Sequence, residues 1–309
     1  MINSRKATSV PSVPEKQRPP WRRQLSAISL TVGPGVLWII VLLILPSITL
    51  LGYSFLTRFR FNRIGLPLTL ENYATFLGFT QLGFDLIYIE ILGRTLALSA
   101  GVTVLALLIG YPLAFFIAQS RYKGVLLTLV IIPFWTNFLI RTYAWILMLN
   151  SHGPVNSLLQ FTGLTSGPVQ LFPSWGAVFA GMVYAHVPFL ILPVYSSIEK
   201  IDWTLVEAAA DLGASPRQAF WQVIVPQTLP GVVAGVLLVF IPALGNFITP
   251  DLLGGSRSAL IGNVIQQQFG PALNWPLGSA ISFVVLGFVL VALYFYARSA
   301  GEQGMEVLG

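Results

Sequence analysis

Residues 199–226 read Glu199-Lys-Ile-Asp-Trp-Thr-Leu-Val-Glu207-Ala-Ala-Ala-Asp211-Leu-Gly213-Ala-Ser-Pro216-Arg-Gln-Ala-Phe220-Trp-Gln-Val-Ile-Val-Pro226, a polar stretch set between two long apolar runs. Thr204, with Glu207 at the third helical position, predicts a capped helix that starts near Leu205. Val206, Ala209, Ala210 and Leu212 give that helix a small apolar face, and Gly213 is its expected stop. Ser215-Pro216 then supplies an N-cap and a proline at the first position of a second short helix. The segment reads as helix, glycine turn, helix at a membrane surface, with Phe220, Trp221, Val223 and Ile224 available to pack or dock.

The flanking runs, Trp175 to Ser197 and Leu229 to Phe247, each approach the roughly 20 apolar residues that cross a bilayer core. Val32 to Phe55, Thr95 to Ala118, Val125 to Leu149 and Leu277 to Ala297 do the same. A transmembrane β-barrel would instead alternate apolar and polar residues in segments of about ten. The expected fold class is an all-α integral membrane protein with six transmembrane helices. Composition agrees, because 55% of the 309 residues are apolar and only 9% are charged, against about a quarter charged in soluble domains. The chain has no cysteine, which excludes a disulfide scaffold, a Cys-ligated zinc and thiol catalysis. Its two histidines, His152 and His186, lie far apart and argue against a His-rich metal site.

The formal charge of +6 comes from residues at the ends of apolar runs. They are not interleaved with aromatics along a polar face, so no nucleic-acid partner is expected. Residues 1–30 read as a basic, partly disordered tail without the apolar stretch of a secretory signal, and 31–309 as the transmembrane domain, with the loop at about 198–228. With the tail in the cytoplasm, eleven basic residues fall inside, among them Arg121, Lys123, Lys200, Arg217 and Arg298, and five outside. That ratio predicts cytoplasmic N and C termini, with Arg58, Arg60 and Arg63 in dissent. Thr57–Arg94, Asn150–Ser174 and about Thr249–Pro276 become outer loops, expected to hold structured turns and short helices.

Glu207-Ala208-Ala209, Gly213 six residues after the glutamate, Val223 and Val225-Pro226 together resemble the EAA loop of ABC importer permeases. Valines stand where that pattern has isoleucine and leucine. The likeness continues through Pro133-Phe-Trp135-Thr-Asn137-Phe-Leu-Ile-Arg141-Thr-Tyr143-Ala-Trp145, Asn150 to Asn156, Ile241 to Gly255 and Asn274-Trp275-Pro276. Thr69-Leu-Glu-Asn72-Tyr73 also fits. These stretches are similar to the spermidine/putrescine-type permeases from about Leu30 onward. Asn246 departs, standing where such permeases often carry an acid, which speaks against a cationic solute.

The resemblance implies a type I ABC importer transmembrane domain in the inner (plasma) membrane, multi-pass. Glu207, Ala208, Ala209, Asp211 and Gly213 would dock an ATPase subunit through a coupling helix. Further implied partners are a second, distinct permease chain, an extracytoplasmic solute-binding protein and the lipid bilayer. The chain lacks G-x-x-x-x-G-K-[ST], so ATP hydrolysis is left to the separate ATPase. ATP and Mg are expected on that subunit, and no cofactor on this chain. The implied solute is spermidine or putrescine.

Polar groups within the runs are candidates for the translocation path: Trp135, Asn137, Arg141, Tyr143, Trp145, Tyr184, Asn246 and Asp251. Arg141 either faces the bundle interior, paired with a carboxylate such as Asp251, or snorkels to the interface. The aromatics either hold an ammonium by cation–π attraction or form the interfacial belt. Pro46, Pro112, Pro133, Pro188, Pro193 and Pro242 interrupt spans, and His186 is expected to be neutral and bonded to a neighbouring helix. An ion-gradient carrier would need carboxylate relays and a repeat; a plain membrane anchor would leave the proline- and arginine-containing spans unexplained.

Overall fold

A computed structural model describes residues 33–59, 63–80, 83–255 and 258–306. The tail 1–30, Arg60 and Arg257 lie outside them. The chain divides into two units, Met1–Gly52 and Tyr53–Gly309, and the packing described below belongs to the second. Among the described residues five helices are long and apolar enough to cross a membrane: α1 (Gly33–Ser54), α3 (Ile87–Gln119), α7 (Trp175–Ile198), α9 (Pro216–Gly245) and α12, whose apolar part is Trp275–Tyr294. The fold is mainly helical, but the segment between α1 and α3, expected to be the first outer loop, is not. It carries two small antiparallel ribbons, β1 (Leu56–Arg58) with β2 (Ile64–Leu68), and β3 (Phe79–Thr80) with β4 (Gly83–Phe84), around a short helix α2 (Glu71–Phe76). Asn72 holds this region by donating to the carbonyls of Ser54 and Leu56.

The expected span Val125 to Leu149 is not one helix. Lys123–Trp135 and Phe138–Phe161 meet at 92°. Here α4 (Lys123–Ile131) tightens into a 3-10 turn, Ile132–Trp135. Proline lacks the amide that a continuing helix needs, and the Thr136 hydroxyl closes the turn on the Pro133 carbonyl at 2.6 Å. Thr136 is extended, and Asn137 begins α5 (Phe138–Leu149) by accepting from the Leu139 amide at 2.8 Å. A second short helix, α6 (Pro154–Phe161), follows. The other interior prolines expected to interrupt spans, Pro112, Pro188, Pro193 and Pro242, sit inside continuous helices.

The core is the three-helix contact of α3, α7 and α9. Lipid tails are as apolar as leucine, so membrane helices associate through close packing where small residues let backbones approach. Gly110 of α3 and Gly235 of α9 fill that role here: Leu190 projects from α7 against both, and added Cβ atoms would lie 2.7 and 3.2 Å from it. Gly231 of α9 meets Ser197 and the Pro193 carbonyl of α7. Val102, Ala106, Met182, Leu190, Ile191, Val194 and Val239 are fully enclosed. A smaller cluster, Phe76, Leu92, Ile261, Leu277 and Ile281, joins α2 and the start of α3 to α11 (Ile261–Phe269) and α12 (Trp275–Glu306).

The C-terminal ends of α3 and α7 lie at one end of the bundle, where Lys123 pairs with Glu199. At the other end Thr95 accepts the Ile261 amide, and Arg58 donates to the Ala272 carbonyl. Ser174 caps α7 there and its amide donates to Leu253 of α10 (Ile248–Gly254). The helix α10 packs on α5, so two short helices that follow chain breaks face each other.

Candidate functional site

The loop between α7 and α9 begins at Glu199. Hydrogen bonds from Lys123 and then Tyr195 hold its carboxyl below the usual carboxylate range. The first loop helix, α8, spans Trp203–Asp211, and its N-cap is Asp202 rather than Thr204. Asp202 accepts from both the Thr204 hydroxyl at 2.7 Å and the Thr204 amide at 3.0 Å, and these two bonds hold its carboxyl below the ordinary value. A carboxylate accepts more strongly than a hydroxyl at a helix start, which is why the cap moves two residues upstream.

Gly213 stops α8 as expected. Its φ of +87° is a left-handed conformation that costs an L side chain roughly 1–2 kcal/mol. Its amide donates to Ala210 and that of Ala214 to Ala209. Ser215 then caps the next helix in a reciprocal box with Gln218, Pro216 standing at the first position. That second helix is not a separate short one. It continues through a wide turn at Phe220–Ile224 into α9.

The apolar face expected of α8 divides in two. Val206 and Ala209 are half-buried, while Glu207, Ala208, Ala210 and Asp211 are exposed and Leu212 is 90% exposed. The result is a narrow ridge of alanines, flanked by Glu207 and Asp211 and ending on an uncovered leucine.

Within the bundle the structure brings together Arg141, Trp145 and Tyr184. They line a cleft of ≈ 550 Å³ between α3, α4, α5 and α7, walled otherwise by aliphatic side chains such as Leu105, Val183 and Ile191. Trp145 and Tyr184 meet edge to face at 5.7 Å. The Arg141 guanidinium lies over the rings of Phe134 and Phe138 at 5.2 and 5.8 Å. Its Nε is buried and has no hydrogen-bond partner among the described residues.

The pairing of Arg141 with Asp251 does not form. Asp251 instead lines a separate polar pocket of ≈ 250 Å³ with Asn263, Gln266 and Gln267. Trp135 and Tyr143, 82% and 54% exposed, are not part of the cleft. Asn137 and Asn246 both serve helix ends: Asn137 is the N-cap of α5 and accepts from the Leu139 amide, and Asn246 closes α9 while its side chain accepts from the Thr249 amide at the start of α10. His186 bonds the Met182 carbonyl of its own helix, not a neighbouring one.

A family model described as "Binding-protein-dependent transport system inner membrane component" matches residues 106–302, well over half of the chain and the whole of the loop. The chain belongs to this family. The permease is 41% identical over 282 residues to the spermidine/putrescine transport system permease protein PotB of Haemophilus influenzae, a match covering 90% of this chain and 96% of that one. Its identity to PotB of Escherichia coli is also 41%, over 271 residues, with 86% and 96% covered. Among solved structures, a bacterial alginate ABC transporter in complex with an alginate pentasaccharide-bound periplasmic protein superposes with a TM-score of 0.64 at 21% identity, covering 90% and 97%. That likeness shows a shared fold. The resemblance read from Glu207, Gly213 and Pro226 therefore holds, and the chain is a multi-pass membrane permease, a subunit of a transporter.

Sequence reading missed three features of the site. Asp202 was hidden because Thr204 offered an equally good cap by type. Phe134 and Phe138 lie seven and three residues before Arg141 on opposite sides of a break that hydropathy does not register. Tyr111 and Phe115 of α3 contact Phe220, yet in an apolar helix their spacing looks like that of any other core pair.

Proposed function

We propose that this permease is the transmembrane subunit of an ATP-driven importer for spermidine or putrescine in the cell inner membrane, with six spans and both termini in the cytoplasm. The bent pair of α4 and α5–α6 counts as the third span. The observation that carries the solute is the 41% identity to two permeases named for spermidine and putrescine, over 96% of each. The loop geometry supports the rest. Glu207, Ala208, Ala209, Asp211 and Gly213 make the docking segment: Ala208 is exposed between Glu207 and Asp211, Ala209 is half-buried, Gly213 ends the helix, and the exposed Leu212 leaves apolar surface for an ATPase subunit to cover. ATP and Mg belong to that subunit. An external binding protein hands the solute to the outer face, and a second permease chain completes the pore.

Closure of two ATPase subunits around ATP draws the coupling helices together and swings the spans, a rigid-body transition of the domain-closure kind. Arg141, Trp145 and Tyr184 mark the cleft in the bundle that such a swing would open or close. Asp251, with Asn263 and Gln266 beside it, offers the anionic group that an ammonium requires. Asn246 loses its weight against a cation, because its side chain serves the backbone of α10.

The test is ATP hydrolysis by the reconstituted complex with its binding protein, comparing spermidine, putrescine and no solute, with Gly213→Pro alongside. Stimulation by a polyamine that disappears in Gly213→Pro is the expected result. If only a different solute stimulates, the importer stands and the polyamine assignment falls. A Gly213→Pro complex that matches the parent removes the coupling role of the loop.

A further inference from the structure

We propose that Phe220 is the positioning residue that passes movement of the coupling loop to α3, through an aromatic socket formed by Tyr111 and Phe115. The proposal rests on the transport reading above and deepens it by naming the route of the force. The loop is covalently continuous with α7 and α9, but α3 has no such connection. At this end of the bundle α3 is met by the Phe220 ring, edge-on to Tyr111 at 6.1 Å and to Phe115 at 5.9 Å. The Tyr111 hydroxyl is also within 3.0 Å of Thr228 on α9. The Lys123–Glu199 pair nearby is exposed, and an exposed ion pair is weak and salt-screened. Phe220 thus gives the loop a direct aromatic contact with α3, beside the core packing of α3 on α7 and α9.

Three features suit this contact to movement rather than to packing alone. Phe220 is the first residue of the wide turn Phe220–Ile224, the kind of local widening that occurs at working positions in helices. Tyr111 and Phe115 flank Pro112, whose missing amide removes one rung of the α3 ladder and lets the last two turns pivot. Beside the ring lies a cavity of ≈ 310 Å³ lined by Tyr111, Pro112, Phe115, Phe116, Gln119 and Phe220. The ring has space to shift in one direction and a wall to push in the other.

The experiment measures spermidine taken up per ATP hydrolysed in proteoliposomes holding the complete complex. Phe220→Ala is expected to leave the ATPase subunit bound and hydrolysis running, while uptake per ATP falls about tenfold as both edge-on contacts are lost. Phe220→Tyr keeps the ring, the cavity accommodates its hydroxyl, and the ratio stays at the parental value. If Phe220→Ala does not accumulate, Phe220→Leu decides by the same ratio. Uptake and hydrolysis that fall together, or a ratio that does not move, overturn the linkage while the coupled parent leaves the transport reading intact. A parent complex without solute-stimulated hydrolysis overturns both.

Discussion

The loop at 199–226 and the break at 133–141 are built from the same parts. Each has a proline at a helix start, a short polar side chain as cap and aromatic rings alongside: Ser215 with Pro216 and Phe220 in the loop, Asn137 with Pro133, Phe134 and Phe138 at the break. They differ in their surroundings. The loop interrupts the apolar pattern, so its turn chemistry stands out in the sequence. The break lies inside a run apolar enough on average to read as one span, although it holds Thr136, Asn137 and Arg141, and it turns the chain by 92°. Hydropathy reports the medium in which a segment sits, whereas the direction of the backbone is set by caps and missing amides.

The largest expected effect comes from the loop. Gly213→Val places a β-branched residue at φ +87°, a strain of at least about 1–2 kcal/mol. Spermidine uptake is expected to fall about tenfold or more, with the ATPase subunit no longer co-purifying. Parental uptake by this variant would mean that the loop tolerates another turn. At the break, Asn137→Ala frees the Leu139 amide at a cost of about 1 kcal/mol, which lowers the melting temperature in detergent by roughly 2–4 °C. An unchanged melting temperature would show that packing of α5 on α10 holds the bend without its cap.

How much the sequence revealed follows from the same distinction. The helix, Gly213 turn and Ser215 cap were legible because each is local chemistry within five residues, although the reciprocal bond from Gln218 was not read. Five long apolar helices were legible because bilayer thickness fixes their length. The two ribbons between α1 and α3 were not, since residues 56–84 carry no strict alternation to announce strands. Nor was the fate of the path candidates. Asn137 and Asn246 drew attention as polar groups in apolar runs, and both proved to serve backbone amides, the commonest reason for an asparagine to stand there. Arg141, Trp145 and Tyr184 share a cleft only because α5 turns back toward α7, and that depends on the break.

A smaller effect separates the charge of Arg141 from its shape. Lysine keeps the cation but loses the planar face that rests on Phe134 and Phe138, contacts worth about 0.5–1 kcal/mol each. Arg141→Lys is expected to lower the melting temperature by a few degrees at most. A rise would mean that relief of the buried, unpartnered Nε outweighs the lost ring contacts, making the break a site where strain is retained for transport.

The smallest effect is one of pH, and it returns to the loop. The hydrogen bonds from Thr204 depress the Asp202 carboxyl in the folded state, so its contribution is complete above the unfolded aspartate value of about 3.9. It is lost as pH falls through the lower folded value. Glu199 is depressed in the same direction by Lys123 and Tyr195, so both ends of the Glu199–Asp202 entry loosen together in acid. Asp202→Asn keeps an acceptor for the Thr204 amide and removes the titration. Amide exchange across Trp203–Asp211, corrected for intrinsic rate, should therefore show the parent better protected at neutral pH and the two proteins converging below about pH 4. A difference that persists in acid would assign the extra protection to geometry at the cap rather than to its charge, and the loop would then resemble the break, where a neutral asparagine does the same work.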